Sequence, residues 1–95
     1  MATAITATAN QSYQDGTHVL YTTPAGKRFV GNFEMLAEDA DPGVSAVIGE
    51  FESVWAVEVK SDKMIVLSAG QSISLRVDMY NTVQSLVSGI EEDDV

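Results

Sequence analysis

The side chains that could carry chemistry are few. The chain has one histidine, His18, and no cysteine. A histidine acts as a general base only when the fold holds a nucleophile or a carboxylate against it. Ser12, Asp15 and Asp62 are the residues on offer, and no nucleophile elbow or triad spacing surrounds them. Glu38, Asp39 and Asp41 form an acidic cluster that could hold a hard cation such as calcium. They lack the spacing of a known calcium loop, so a solvated turn is the expectation. Without cysteine there is no thiolate ligand and no disulfide. No catalytic residue, metal ligand or cofactor is assigned, and the chain is expected not to be an enzyme.

Charge narrows the partners. Fourteen acidic residues against five basic ones leave a formal charge of −9 over 95 residues. Nucleic-acid binding draws most of its affinity from several cations on one face, and the longest basic run is Lys27-Arg28. Nucleic acid is therefore not an expected partner, and an anionic membrane is disfavoured on the same ground. No stretch approaches the roughly 18 apolar residues of a membrane span. The opening residues lack both a basic start and a sustained apolar run, unlike a signal peptide. A soluble protein made in the cytoplasm is expected. The length suits one domain, burying roughly 60–65% of its unfolded surface, so help from partner subunits is plausible.

The elements that would position these residues read as strands. Residues 1–16 are mostly Ala, Thr, Asn, Gln and Ser, and read as an extended N-terminal arm ahead of an Asp15-Gly16 turn. Thr17 to Thr23 is a β-branched, aromatic strand, with Val19 and Tyr21 on one side and His18, Leu20 and Thr22 on the other. Pro24 and Gly26 break it into a turn. From Lys27 to Leu36, Phe29, Gly31, Phe33 and Met35 share one face, which is taken as core. Val44 to Ile48 is a short strand. Trp55, Val57 and Val59 alternate with polar neighbours in another, which ends at the Ser61-Asp62 turn. Met64 to Leu67 is a buried strand ended by Gly70. Ser72 to Met79 alternates most clearly, with Ile73, Leu75, Val77 and Met79 facing one way. Asn81 offers a turn, and Thr82 to Ile90 is a last strand before an acidic C-terminal tail over 92–95. Helices at Asn32–Asp41 and Met79–Ser88 are set aside, because their i, i+3, i+4 matches are incomplete and no capping box precedes them. The expectation is an all-β domain over 17–91: an antiparallel β-sandwich or jelly roll of about seven strands.

Within that frame Ile5 and Tyr13 are the candidate anchors of the arm on another subunit, since the arm has nothing else to bury. Lys27 and Arg28 are candidate interface cations facing an acidic neighbour, against the default of surface charges worth well under about 1 kcal/mol each. Trp55 and Phe51 would suit an interface anchor, but the face Trp55 shares with Val57 and Val59 makes core the expectation.

The run Tyr21-Thr22-Thr23-Pro24-Ala25-Gly26-Lys27 is followed by an alternating strand. Later come Leu67-Ser68-Ala69-Gly70-Gln71-Ser72-Ile73-Ser74-Leu75 and Val87-Ser88-Gly89-Ile90-Glu91. In that order, these residues resemble small β-sandwich proteins of tailed-bacteriophage virions over roughly residues 17–91. The usual longer loop after the second strand is replaced here by Glu38 to Gly43. The resemblance implies a capsid decoration, or cement, protein: a homotrimer on the virion surface that bridges neighbouring copies of the major capsid protein. A tail, neck or fibre component is the structural alternative. A carbohydrate-binding sandwich is the alternative from another class. It would want exposed aromatic platforms, and most of the three Tyr, three Phe and one Trp fall on alternating core faces.

Overall fold

The computed structural model describes residues 2–40, 43–61 and 63–94. Asp41 and Pro42 of the acidic loop, and Asp62 of the expected turn, lie outside the described residues. The described chain is all-β: β1 Thr3–Thr22, β2 Lys27–Ala37, β3 Val44–Ile48, β4 Phe51–Glu52, β5 Glu58–Lys60, β6 Ile65–Leu67 and β7 Ser72–Asp93. Every pairing is antiparallel. Where a sandwich or jelly roll is expected, the strands form one sheet curled into a half-barrel.

The sheet is built around β7. One edge of β7 pairs with β1 from Thr3↔Glu91 to Thr22↔Ser72. Its other edge is shared, by β3 along Ile73–Val77 and by β2 along Val83–Asp93. β2 in turn carries β5 and β6, and β3 carries β4. Twenty-two residues at about 3.3 Å each would reach about 70 Å if straight, yet the longest dimension of the molecule is 42 Å. The β1–β7 ribbon must therefore bend. It does so where its register breaks between Gln14 and Gly16, opposite Val77 to Tyr80. Gly16 has φ 133° and Met79 has φ 70° at that corner, and bulges of this kind sharpen local twist and re-aim side chains.

The bend brings both ends of β7 to one turn. Thr23 N–H donates to the Gln71 carbonyl and Gly70 N–H to the Thr23 carbonyl, both at 2.9 Å. From the far end of β7, Asp94 N–H donates to the Gly26 carbonyl at 3.0 Å. Pro24 and Gly26 thus sit in the turn expected of them, with Gly26 at φ 74°, and Gly70 turns the chain into β7 at φ 85°.

The core lies inside the curl. Phe29, Phe33, Met35 and Ala37 of β2, Ile73, Leu75 and Val77 at the start of β7, and Val83 and Val87 near its end are all buried. Each large side chain contributes about 1.5–3 kcal/mol by leaving water. The two halves of the ribbon meet at Phe29. Gly31 and Gly89 lie directly opposite each other in the β2–β7 ladder. A Cβ on Gly31 would lie 2.6 Å from Phe29 Cζ, and one on Gly89 2.9 Å from it. The ring occupies the space the two glycines leave. Tyr21 from the other half packs against it, tilted by 48° with centroids 4.9 Å apart, and the Tyr21 hydroxyl donates to Glu91 Oε2 at 2.6 Å. Burial first, and then that carboxylate, hold the Tyr21 phenol protonated well above its ordinary range.

Several expectations are corrected. The strands expected on either side of Asn81 are one strand. Asn81 is buried in it, and its side chain donates to the Asp39 carbonyl and accepts from the Asp39 N–H. Met79 does not follow Ile73, Leu75 and Val77 inward. The positive φ at the corner turns it out, and it is 75% exposed. Trp55 is not core: it is 44% exposed. Ala56 forms the bridge to Val44 and packs over Gly43, so the residues on either side of it face away. β5 accordingly begins only at Glu58. Residues 3–16 are extended as expected but are laid along β7 as the first half of β1, and Glu92 and Asp93 of the acidic tail end β7.

The glycine pair yields the first prediction. A Cβ on Gly31 would sit 2.2 Å from the Ser88 carbonyl oxygen, and one on Gly89 2.3 Å from that of Val30. Gly31→Ala and Gly89→Ala are each expected to destabilise the fold by about 1–3 kcal/mol, read as a lower midpoint in urea. Gly70→Ala meets no atom within 4 Å and should cost less, through its positive φ alone.

Candidate assembly surface

The chemistry-bearing residues do not converge. His18 Nε2 donates to the Gln14 carbonyl at 2.7 Å, and its ring lies 4.9 Å from that of Tyr13. Ser12 Oγ is bonded instead to Thr82 Oγ1 at 2.9 Å. Among the described residues no group of three His, Cys, Asp or Glu gathers as a metal would require. Glu38 and Asp39 are exposed.

The candidate interface residues find partners at home. Tyr13 is 5% exposed and belongs to the chain's own core, with Ile5 packed against that core. Lys27 Nζ donates to Asp93 Oδ1 at 2.5 Å, and Arg28 pairs with Glu92 directly across the β2–β7 ladder. Arg76 reaches Glu52 at 2.7 Å. Lys27 holds the Asp93 carboxyl down at about 2, below its usual range. Register places these pairs: Lys27 lies opposite Asp93 and Arg28 opposite Glu92, a relation invisible until the strands are aligned.

What the fold offers outward is surface for docking. On the outer face, ladder registers set side chains in rows that run across β1, β7, β2 and β5. One row is Thr8, Leu86, Glu34 and Lys60, and the next is Asn10, Gln84, Leu36 and Glu58. They line an open groove of about 580 Å³ whose lining includes no aromatic ring. Nearer the chain ends the same face turns apolar along Ala4, Ile90, Val30 and Val66, with Val66 60% exposed. A second apolar region is the segment from Phe51 to Val57. It leaves Phe51, Val54, Trp55 and Val57 exposed within seven residues of chain. Their exposure was missed because the alternation around Trp55 imitates a half-buried strand.

The third feature is an edge. β1 pairs with β7 alone, so its other side is unpaired by any described strand along Thr3–Thr22. Among the described strands the other outermost ones are β4, β5 and β6, of two or three residues each. Compared with known protein families, with curated proteins and with solved structures, the chain matches none.

The Asp93 pairing gives a pH prediction. A carboxyl held at about 2 in the fold, against 3.8 ordinarily, contributes stability that is full above pH 3.8 and is lost as the pH falls toward 2. Thermal unfolding followed from pH 5 to pH 2 should show a shallow decline across that window. Lys27→Met should remove part of the decline and lower the midpoint at pH 7 by a correspondingly small amount, as befits an exposed pair.

Proposed function

We propose that this chain is a structural assembly protein of a tailed-bacteriophage virion, one that decorates the capsid and stabilises it by bridging neighbouring capsid subunits. The observation that carries the reading is the segment Phe51–Val57, which holds Trp55, Phe51, Val54 and Val57 in water. Exposed clusters of this kind mark docking sites, and buried Trp supplies much of the binding energy in protein interfaces. The turn residues shared with small virion proteins, Tyr21 to Lys27 and Leu67 to Leu75, support the same reading. So does the curl, which lays two halves of one sheet over a common core as a small sandwich does. A charge of −9 opposes non-specific association of free copies. Repetition over a symmetric shell would then turn modest single contacts into firm attachment.

Virions of the phage that carries this sequence supply the test. Quantitative mass spectrometry of purified particles is expected to find the protein in many copies, in fixed ratio to the major capsid protein. Trp55→Ala is expected to keep the fold, because Trp55 is half in solvent, and to weaken attachment at least tenfold when added to shells stripped of the native protein. A few copies per particle would instead place the protein in the tail, neck or fibre. Absence from the particle would overturn the virion reading.

A further inference from the structure

We propose that the free edge of β1 pairs with the same edge of a second copy, antiparallel about a two-fold axis, so that two half-barrels share one continuous sheet. The inference concerns this edge alone and does not rest on the virion reading.

An edge strand leaves the N–H and C=O of every second residue without a ladder partner, and soluble proteins commonly block such rows with charge, proline or bulges. β1 is blocked in only one of its halves. From residue 15 onward it carries the charge of Asp15, register breaks at Gln14/Gly16 and Val19/Tyr21, and the His18 ring bonded to the Gln14 carbonyl. From Thr3 to Gln14 the register with β7 is unbroken, and the sequence TAITATANQSYQ holds no charge, proline or glycine. Twelve residues of regular strand are left open.

The interior is open along the same line. Ala7 and Gln11 face the core side of the sheet, since they lie opposite the buried Val87 and Val83, yet both are exposed. A strand added beyond β1 would cover them. Charge permits the approach here, because Asp15 is the sole acidic residue before Glu34 in a chain with fourteen. Two copies that repel elsewhere can meet along this edge.

Symmetry fixes the register. A two-fold axis perpendicular to the sheet keeps inner side chains opposite inner ones, so paired residue numbers sum to an even value and the axis runs between one residue and the same residue of the second copy. Centring Thr3–Gln14 on itself places that axis at Thr8 or Ala9. About Thr8, Thr6 lies opposite Asn10 of the partner subunit and the two Thr8 side chains face each other, pairs that favour a ladder. A closed ring of three joined by strand addition would need a second long edge, and among the described strands the other outermost ones are two or three residues long.

The full chain tests this. Light scattering after size exclusion is expected to give twice the 10.2 kDa chain mass at high concentration. The dimer fraction should rise with ionic strength as the repulsion is screened. Thr6→Pro and Ala7→Pro form an internal control, because adjacent N–H groups in a strand point to opposite sides. One substitution removes a bond to β7 and lowers the melting temperature, whereas the other leaves it unchanged and abolishes the dimer. As a check independent of proline, the cysteine-free chain allows single thiols: Thr8→Cys or Ala9→Cys should form a disulfide-linked dimer under mild oxidation, and Val66→Cys should not. A monomer at every concentration and salt, a trimer, a dimer that survives the fold-neutral proline, or equal crosslinking at Val66 would overturn the proposal.

Discussion

Everything in this fold depends on one strand serving three others. β7 takes β1 on one side along nearly its whole length and divides its other side between β3 and β2. β1 follows β7 through both halves, but among the described strands only β7 also pairs with β3 before the corner and β2 after it. Because β7 is too long for a compact domain of this size, it must bend, and the bend decides what becomes core. Before the corner Ile73, Leu75 and Val77 face inward, and after it Asn81, Val83, Ser85 and Val87 do. Only Met79, at the corner, is turned out. Closure then relies on groups that are not apolar: the Thr23–Gly26 backbone, which meets residues flanking both ends of β7, and the two facing glycines that admit the Phe29 ring. The opposed glycines weaken their strands intrinsically, and the packed Phe29 and Tyr21 rings compensate by filling the space with apolar surface.

Much of this was legible in the residues. Period-two alternation from Phe29 to Met35 and from Ile73 to Val77 identifies the core strands, and Pro24, Gly26 and Gly70 mark the turns that join them. What stayed hidden depends on register between distant segments. Residues 3–14 carry almost no apolar signal and become a strand because β7, 66 to 88 residues later at the paired positions, lends them a ladder. Lys27 and Arg28 look like free cations until antiparallel register sets Asp93 and Glu92 against them. Asn81 has the composition of a turn, and only its bonds to the Asp39 backbone explain its burial. Trp55 shows the opposite failure: its alternation is genuine, but around it the backbone is tied to the sheet through the Ala56 bridge to Val44 and the Val57 carbonyl, and the Trp55 side chain faces outward. One signal was available and unused. Gly31 and Gly89 each interrupt an otherwise regular strand, and a glycine there commonly marks a close approach of backbones.

The surface divides by chemistry in a way that follows from the topology. Three of the five cations are paired with carboxylates, two directly across the β2–β7 ladder and Arg76 with Glu52 over the intervening β3, so the remaining acidic excess dominates the exterior. Apolar groups left in water include the Phe51–Val57 segment and the end of the outer face near Val30 and Val66, with others such as Val19, Leu36 and Met79 standing separately. The first half of β1, small and uncharged, adjoins the second of these regions at Ala4. A chain of this size therefore carries several distinct contact regions on one rigid sheet, which suits a part that touches more than one neighbour.

The position of β7 along the chain has a consequence for biosynthesis. Within this sequence the strand that organises the sheet emerges from the ribosome after all the others. Until residue 72 and its successors appear, β1 has no partner at all, and β2 and β3 can form only their short ladders with β5, β6 and β4. The nascent chain must therefore remain largely unfolded through most of its translation, and premature termination anywhere before β7 leaves a product with no central strand to assemble upon. Folding becomes a single late event rather than a stepwise one. Until then the chain's solubility falls to its acidic and polar residues, and the first half of β1, uncharged and rich in threonine and alanine, stays innocuous only because it has so little apolar surface to aggregate with.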